Sequence, residues 1–335
     1  MPSPRQIARM AVASAFYASG GFEAILKRQA ESGAVCILGL HRVLTEEEMR
    51  ESHSEPAIIL RKDVFAELCK FLQRHFEVVT LASVLAGDAT ISKSKPRCVL
   101  TFDDGWRDNY SNALPVLREF GFVATIFLAT AMMDSESTFW VERVRSCASD
   151  EARWRRLREH VAMQTGKPAE QLAPRDVTEH LKRMSTRQRE QIIIETIGTL
   201  PPPSSSDHML KWEQVMAMSR DGMDFGSHTD THPLLPYETP QSVDEELRVS
   251  RQKLEARLIS GSGGFAYPNG SWNDKNRHQV RDAGYTCAVT TQAGWFRPGD
   301  DAFCMPRILL HDGSVTGPND CFSPAAAAFS LTGWR

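Results

Sequence analysis

A chain of 335 residues that is 41% hydrophobic and 24% charged fits one large α/β domain or two small ones. Ordinary Gly, Pro and aromatic usage excludes collagen-like, coiled-coil and disordered classes. A formal net charge of −3 gives no global attraction to phosphate backbones, so no nucleic-acid partner is expected.

The first 30 residues read as helical, with Arg5, Arg9, Lys27 and Arg28 against Glu23 and with Ile7, Met10, Phe16, Phe22, Ile25 and Leu26 as apolar anchors. Two readings stand for this extension, residues 1–33: packing on the main domain, or peripheral contact with a membrane surface through the helix. No stretch reaches the roughly 20 apolar residues of a spanning helix, and Ala11–Ala18 is a poor leader candidate. Seven cysteines, an odd number without zinc-ligand spacing, include Cys36, Cys98 and Cys287 inside apolar runs; a reducing, cytoplasmic setting is expected.

From Ala34, short apolar runs alternate with helical periodicity: AVCILGL, a helix around 64–76, VVTL, RCVLTF, a helix near 113–120, and ATIFLAT. Continuous apolar runs indicate strands covered on both faces, hence a parallel sheet or barrel. The alternation resumes with MDFGSH, a helix over 243–258, GGFAYP, a helix near 275–283, TCAVTT and RILL. Residues 34–335 are therefore expected to form one α/β domain built on a parallel sheet or a barrel. It is interrupted at about 135–206 by a charged helical insertion that ends in PPPSSS. Within 141–190 there are 12 Lys/Arg against 8 Asp/Glu. Either this is a solvated helical face or it caps the site, with Arg153, Arg155, Arg156 and Arg158 attracting an anionic substrate.

Two motifs carry chemistry, each at the end of a strand, where α/β folds collect catalytic groups. In Thr101-Phe102-Asp103-Asp104-Gly105, alternating side-chain directions aim adjacent carboxylates differently, so one can hold a metal while the other handles a proton. In Ser227-His228-Thr229-Asp230-Thr231-His232, two histidines at i and i+4 lie on one face of a helical turn, close enough to share a divalent ion.

With TFDDG and HTDTH in this order, together with ILGLHRV, FAYPNG, AVTT and PRILLHD, the sequence resembles the polysaccharide deacetylases with a NodB-homology domain, carbohydrate esterases that hydrolyse N-acetyl or O-acetyl groups on glycans. The resemblance implies a distorted (β/α) barrel of about seven parallel strands. It implies a single divalent metal, most of all zinc, held by Asp104, His228 and His232, with Asp103 as general base and the backbone N–H of Asn269 as oxyanion donor. The family's third-motif Arg is replaced by Ala266, and Arg307 in MPRI is the candidate to supply the missing charge. Leu309-Leu310-His311 matches the family's final motif and makes His311 a candidate acid, although there is no room before it for the usual helix. Trp295 is a candidate wall for the acyl pocket and His41 a candidate substrate contact on the rim; packing and a structural hydrogen bond are their alternatives. The implied activity is metal-dependent removal of an N-acetyl group from a bacterial surface glycan or its precursor. Hydrolysis of an N-formyl, O-acetyl or cyclic-imide bond and non-catalytic glycan binding are the rival readings.

Overall fold

The computed structural model describes residues 4–87, 95–258 and 263–333; residues 1–3 of the expected extension lie outside them. The strands are β1 (Val35–Leu40), β2 (Arg42–Leu44), β3 (Ile59–Arg61), β4 (Glu77–Val78), β5 (Arg97–Phe102), β6 (Thr125–Leu128), β7 (Asp224–Ser227), β8 (Gly264–Ala266), β9 (Cys287–Val289) and β10 (Ile308–Leu309). Seven of them form a curled parallel sheet in the order β10-β1-β5-β6-β7-β8-β9, the distorted barrel expected from the sequence. β4 also pairs with β5, at Arg97 and Cys98, and β2 pairs with β3. The expected strand VVTL is mostly not one: the Thr80 hydroxyl accepts from the Ser83 N–H and starts the helix Leu81–Leu85.

Side-chain alternation sorts each strand between two apolar clusters. In β1, Val35 and Ile37 join Val99, Phe127, Ala266 and Val289 inside the barrel. Cys36, Leu38 and Leu40 instead pack with Leu68, Cys69 and Leu72 of the covering helix Lys62–His75. The inward parity of Val99 in β5 passes through Thr101 to Asp103. The stretch 305–310 reaches both margins of the sheet: Met305 bridges to Val289, while Ile308 and Leu309 pair with Leu38 and Gly39.

Between β6 and β7 the chain forms the helices Trp140–Ser146, Glu151–Thr165, Pro174–Lys182 and Thr186–Thr196 around a separate core that includes Val144, Trp154, Leu157, Val177 and Leu181. At the other end of the sequence order, the helix Pro4–Ala18 packs along Pro324–Leu331 with Phe16 edge-on to Phe329, while Phe22 and Leu26 are buried, so these apolar anchors are used inside the molecule. Among the described residues no helix is long and apolar enough to cross a membrane. All seven cysteines are free, five of them buried.

Candidate active site

Asp103 and Asp104 follow β5 and diverge as the alternation requires. Asp103, 2% exposed, accepts two hydrogen bonds from Arg307, Nη1 to Oδ1 and Nη2 to Oδ2, both at 2.7 Å. Arg307, fully buried, also donates to Thr101 Oγ1 (3.0 Å) and to the Thr290 carbonyl (2.9 Å). Gly39 lies beside the guanidinium in ordinary contact, and its missing side chain makes room for Leu309, 2.4 Å from where a Cβ would stand. Burial alone would raise the Asp103 pKa, but the Arg307 charge overrides it and holds the carboxyl below the usual range.

Asp104 turns away in a left-handed conformation (φ 78°), followed by Gly105 at φ 81°. Its Oδ2 accepts from Trp106 Nε1 (2.9 Å), and the Arg42 guanidinium lies 4.1 Å above that indole. Oδ1 is thereby left facing His228 Nε2 and His232 Nε2, each 3.5 Å away. Asp104, His228 and His232 form a group whose ligand atoms lie within 4.8 Å of one another. Tetrahedral ligands at about 2.0–2.2 Å from zinc stand about 3.3–3.5 Å apart, so these spacings fit such an ion.

The histidines converge without the helical turn expected from their spacing. Residues 228–232 form a loop, with Thr229 (φ 68°) and His232 (φ 65°) left-handed. The loop is held by Glu246, whose carboxylate accepts from the Asp230 and Thr231 N–H groups (both 2.8 Å) and from Thr231 Oγ1. The Thr229 hydroxyl accepts from His232 N, and the His232 ring packs on Phe139. His228 Nδ1 donates to the Ala266 carbonyl (2.7 Å), which leaves the Nε2 lone pair turned to Asp104. Burial, reinforced at His232 by His228, lowers both imidazole pKa values and keeps the rings neutral. Burial, then the Asp103 charge, pushes Asp104 up to about 8.

Asp104, His228 and His232 open onto a cleft of about 110 Å³. His41 lines it, with Nε2 3.8 Å from Asp103 Oδ2 and a pKa lowered by burial to about 4. Asn269 lines it too, left-handed (φ 55°) in a turn whose backbone bonds run from Gly270 N and Ser271 N and leave its own N–H out.

Two candidates stand elsewhere. His311 lines an adjoining depression with Arg145 and Arg175, because β10 ends before it and its backbone N–H is tied to Ser314 Oγ. Trp295 is buried beside the start of β1, opposite the catalytic end, where its indole N–H is satisfied by the Leu331 carbonyl (2.8 Å). Nor do the insertion arginines face the cleft: Arg153, Arg155 and Arg158 pair with Asp150, Glu159 and Glu151 of their own segment, and Arg156 is exposed. The insertion does reach the cleft through Phe139, Trp140, Glu142 and Lys182, none of them singled out by the sequence. An acidic residue on an apolar-flanked first helical turn (TFWVER) is the only signal that could have marked Glu142.

The family model for polysaccharide deacetylases matches residues 90–288. The chain belongs to the polysaccharide deacetylase family. The match stops short of both His41 and Arg307. YxkH of Bacillus subtilis, which carries the family's name, is 23% identical over 222 residues, 66% of this chain and 54% of its own length; the chain thus spans about half of that relative. Among solved structures, the deacetylase PplD of Streptococcus pyogenes has a TM-score of 0.59 at 18% identity, covering 89% of this chain and 98% of its own. BC0361 of Bacillus cereus has a TM-score of 0.58 at 19% identity, over 89% and 69% of the two chains. IcaB of Ammonifex degensii has one of 0.56 at 19% identity, over 89% and 97%. At such identities the deacetylase family and its structural neighbours share the barrel.

Proposed function

We propose that this deacetylase-family protein is a metal-dependent hydrolase that removes an N-acetyl group from a sugar in a bacterial surface glycan or its precursor. The observation that carries this reading is the convergence of Asp104, His228 and His232 in one cleft that His41 also lines, 3.8 Å from the Asp103 carboxylate that Arg307 clamps just beneath it. Two neutral imidazoles and one carboxylate suit zinc better than magnesium. A divalent ion held there supplies Lewis acidity toward the acyl carbonyl and a water molecule. Asp103, kept ionised by Arg307, accepts the proton of the attacking water. The Asn269 N–H donates to the carbonyl oxygen as negative charge develops on it. His41, in the cleft where His311 is not, takes the proton from Asp103 and passes it to the leaving nitrogen; a carboxyl of depressed pKa releases it readily. The unpaired cysteines support a reducing, cytoplasmic setting.

The test is acetate and formate release from N-acetylated, N-formylated and O-acetylated sugars by zinc-loaded protein. Acetate from N-acetyl sugars supports the reading. Formate alone would reassign the acyl group. No release by protein holding one equivalent of metal would overturn hydrolysis altogether.

A further inference from the structure

Arg42 lies fully buried beneath the cleft and already has two carboxylate partners: Asp108 Oδ2 at 3.0 Å and Asp207 Oδ1 at 2.6 Å. A third carboxyl, Glu142, joins them from the inserted helix Trp140–Ser146, only 4% exposed. Its one hydrogen bond from another residue, among the described residues, comes from Ser54 Oγ to Oε1 (3.2 Å). Three buried carboxyls around one guanidinium are more than charge balance requires, and an undercompensated buried acid destabilises a fold. Glu142 also differs from the other two in lining the cleft that contains Asp104 and His232. Trp140, with Arg189 4.7 Å from its ring, and Lys182, bonded to Glu179 (2.7 Å), also line the cleft and come from the insertion.

We propose that Glu142 and Lys182 contact the hydroxyl groups of the sugar, with Trp140 beside them, so that the inserted helices build the sugar-recognition wall opposite the reacting groups of the barrel. The inference rests on the proposed sugar substrate and deepens it. A carboxyl has four acceptor sites and an ammonium three donors, which suits neighbouring hydroxyls, while an indole offers an apolar face to a pyranose ring. Burial raises the Glu142 carboxyl to about 7, so near neutrality it can either donate to or accept from a hydroxyl.

The probes are N-acetylglucosamine and its β-1,4 tetramer, titrated calorimetrically into zinc-loaded Asp103→Asn protein with and without Glu142→Gln or Lys182→Gln. Each added substitution should weaken binding by threefold or more, about tenfold for the nearly isosteric Glu142→Gln. In the active protein the same substitutions should raise KM by like factors, with kcat within threefold and one equivalent of zinc retained. Changes in affinity below threefold for both, or a fall in kcat at unchanged KM, would overturn the proposal, as would failure of the parent protein to bind either sugar. Lys182 is partly exposed, so Lys182→Gln decides the matter should Glu142→Gln misfold. Sugar affinity that depends on Glu142, in a protein that releases neither acetate nor formate, would sustain this wall while refuting the hydrolytic reading.

Discussion

Arg307 grips Asp103 with two parallel hydrogen bonds of 2.7 Å across 204 residues of sequence. Burial pushes the Asp103 carboxyl up and the guanidinium pulls it down, and the guanidinium wins. Arg307→Lys keeps a charge but loses the fork, so the Asp103 pKa should rise. Because the ionised form is the base, the acidic limb of the pH–rate profile should move to higher pH, and kcat should fall on the order of 10- to 100-fold. An acidic limb that stays in place would separate Asp103 from the proton transfer.

Neighbouring carboxylates should fail differently. Asp103→Asn should abolish turnover with metal content near one equivalent, whereas Asp104→Asn and His228→Ala should lose most of the metal. Elemental analysis of the folded variants decides this. Equal metal loss in both Asp variants would mean that the roles are wrongly divided.

Metal uptake should be strongly pH-dependent. With its pKa raised to about 8 by burial and by Asp103, the metal-free Asp104 carboxyl is mostly protonated at pH 7, and an ion must displace that proton. Zinc affinity should therefore climb as the pH rises toward 8, with close to one proton released per ion at pH 7. In the metal-free protein the sign for stability is opposite: the folded state holds this proton while the unfolded carboxyl has lost it, so stability falls as the pH climbs from about 4 to 8. Calorimetry in buffers of different ionisation enthalpy counts the protons, and urea melts across that range test the stability.

Glu246 touches none of the ligand side chains, yet it holds the loop between them. Glu246→Gln should weaken zinc binding by about 10- to 100-fold, the range found for residues that orient ligands. Chelator competition measures it, and unchanged affinity would show that Thr229 and Phe139 suffice to seat His232.

The barrel and the Asp/His motifs were legible because each is local: apolar runs read as buried strands, and the ligands sit a few residues beyond them. Even there the spacing misled in one respect, since a histidine pair at i and i+4 suggests a helical turn, and Thr229 and His232 instead adopt left-handed conformations. Arg307 was legible as a missing charge, but its grip on Asp103 depends on which edges of the sheet meet. His311 matched a motif by letters, and the absence of a helix before it already hinted that its register would differ. Trp106, Phe139 and Glu142 were not legible, because the first reaches Asp104 through a bend after β5 and the others arrive from a segment inserted before β7.

The stretch 305–310 both joins the two margins of the sheet and carries Arg307. A growing polypeptide emerges from the ribosome N-terminus first. Asp103, Asp104 and both histidines are therefore outside long before the guanidinium that neutralises the inner carboxylate. Until residue 307 follows, Asp103 can be enclosed only as the protonated acid or with an uncompensated charge, at a cost of roughly 3–5 kcal/mol for a buried pair stripped of one member. A product of premature termination before residue 307 carries every metal ligand yet lacks the partner that holds the inner carboxyl ionised.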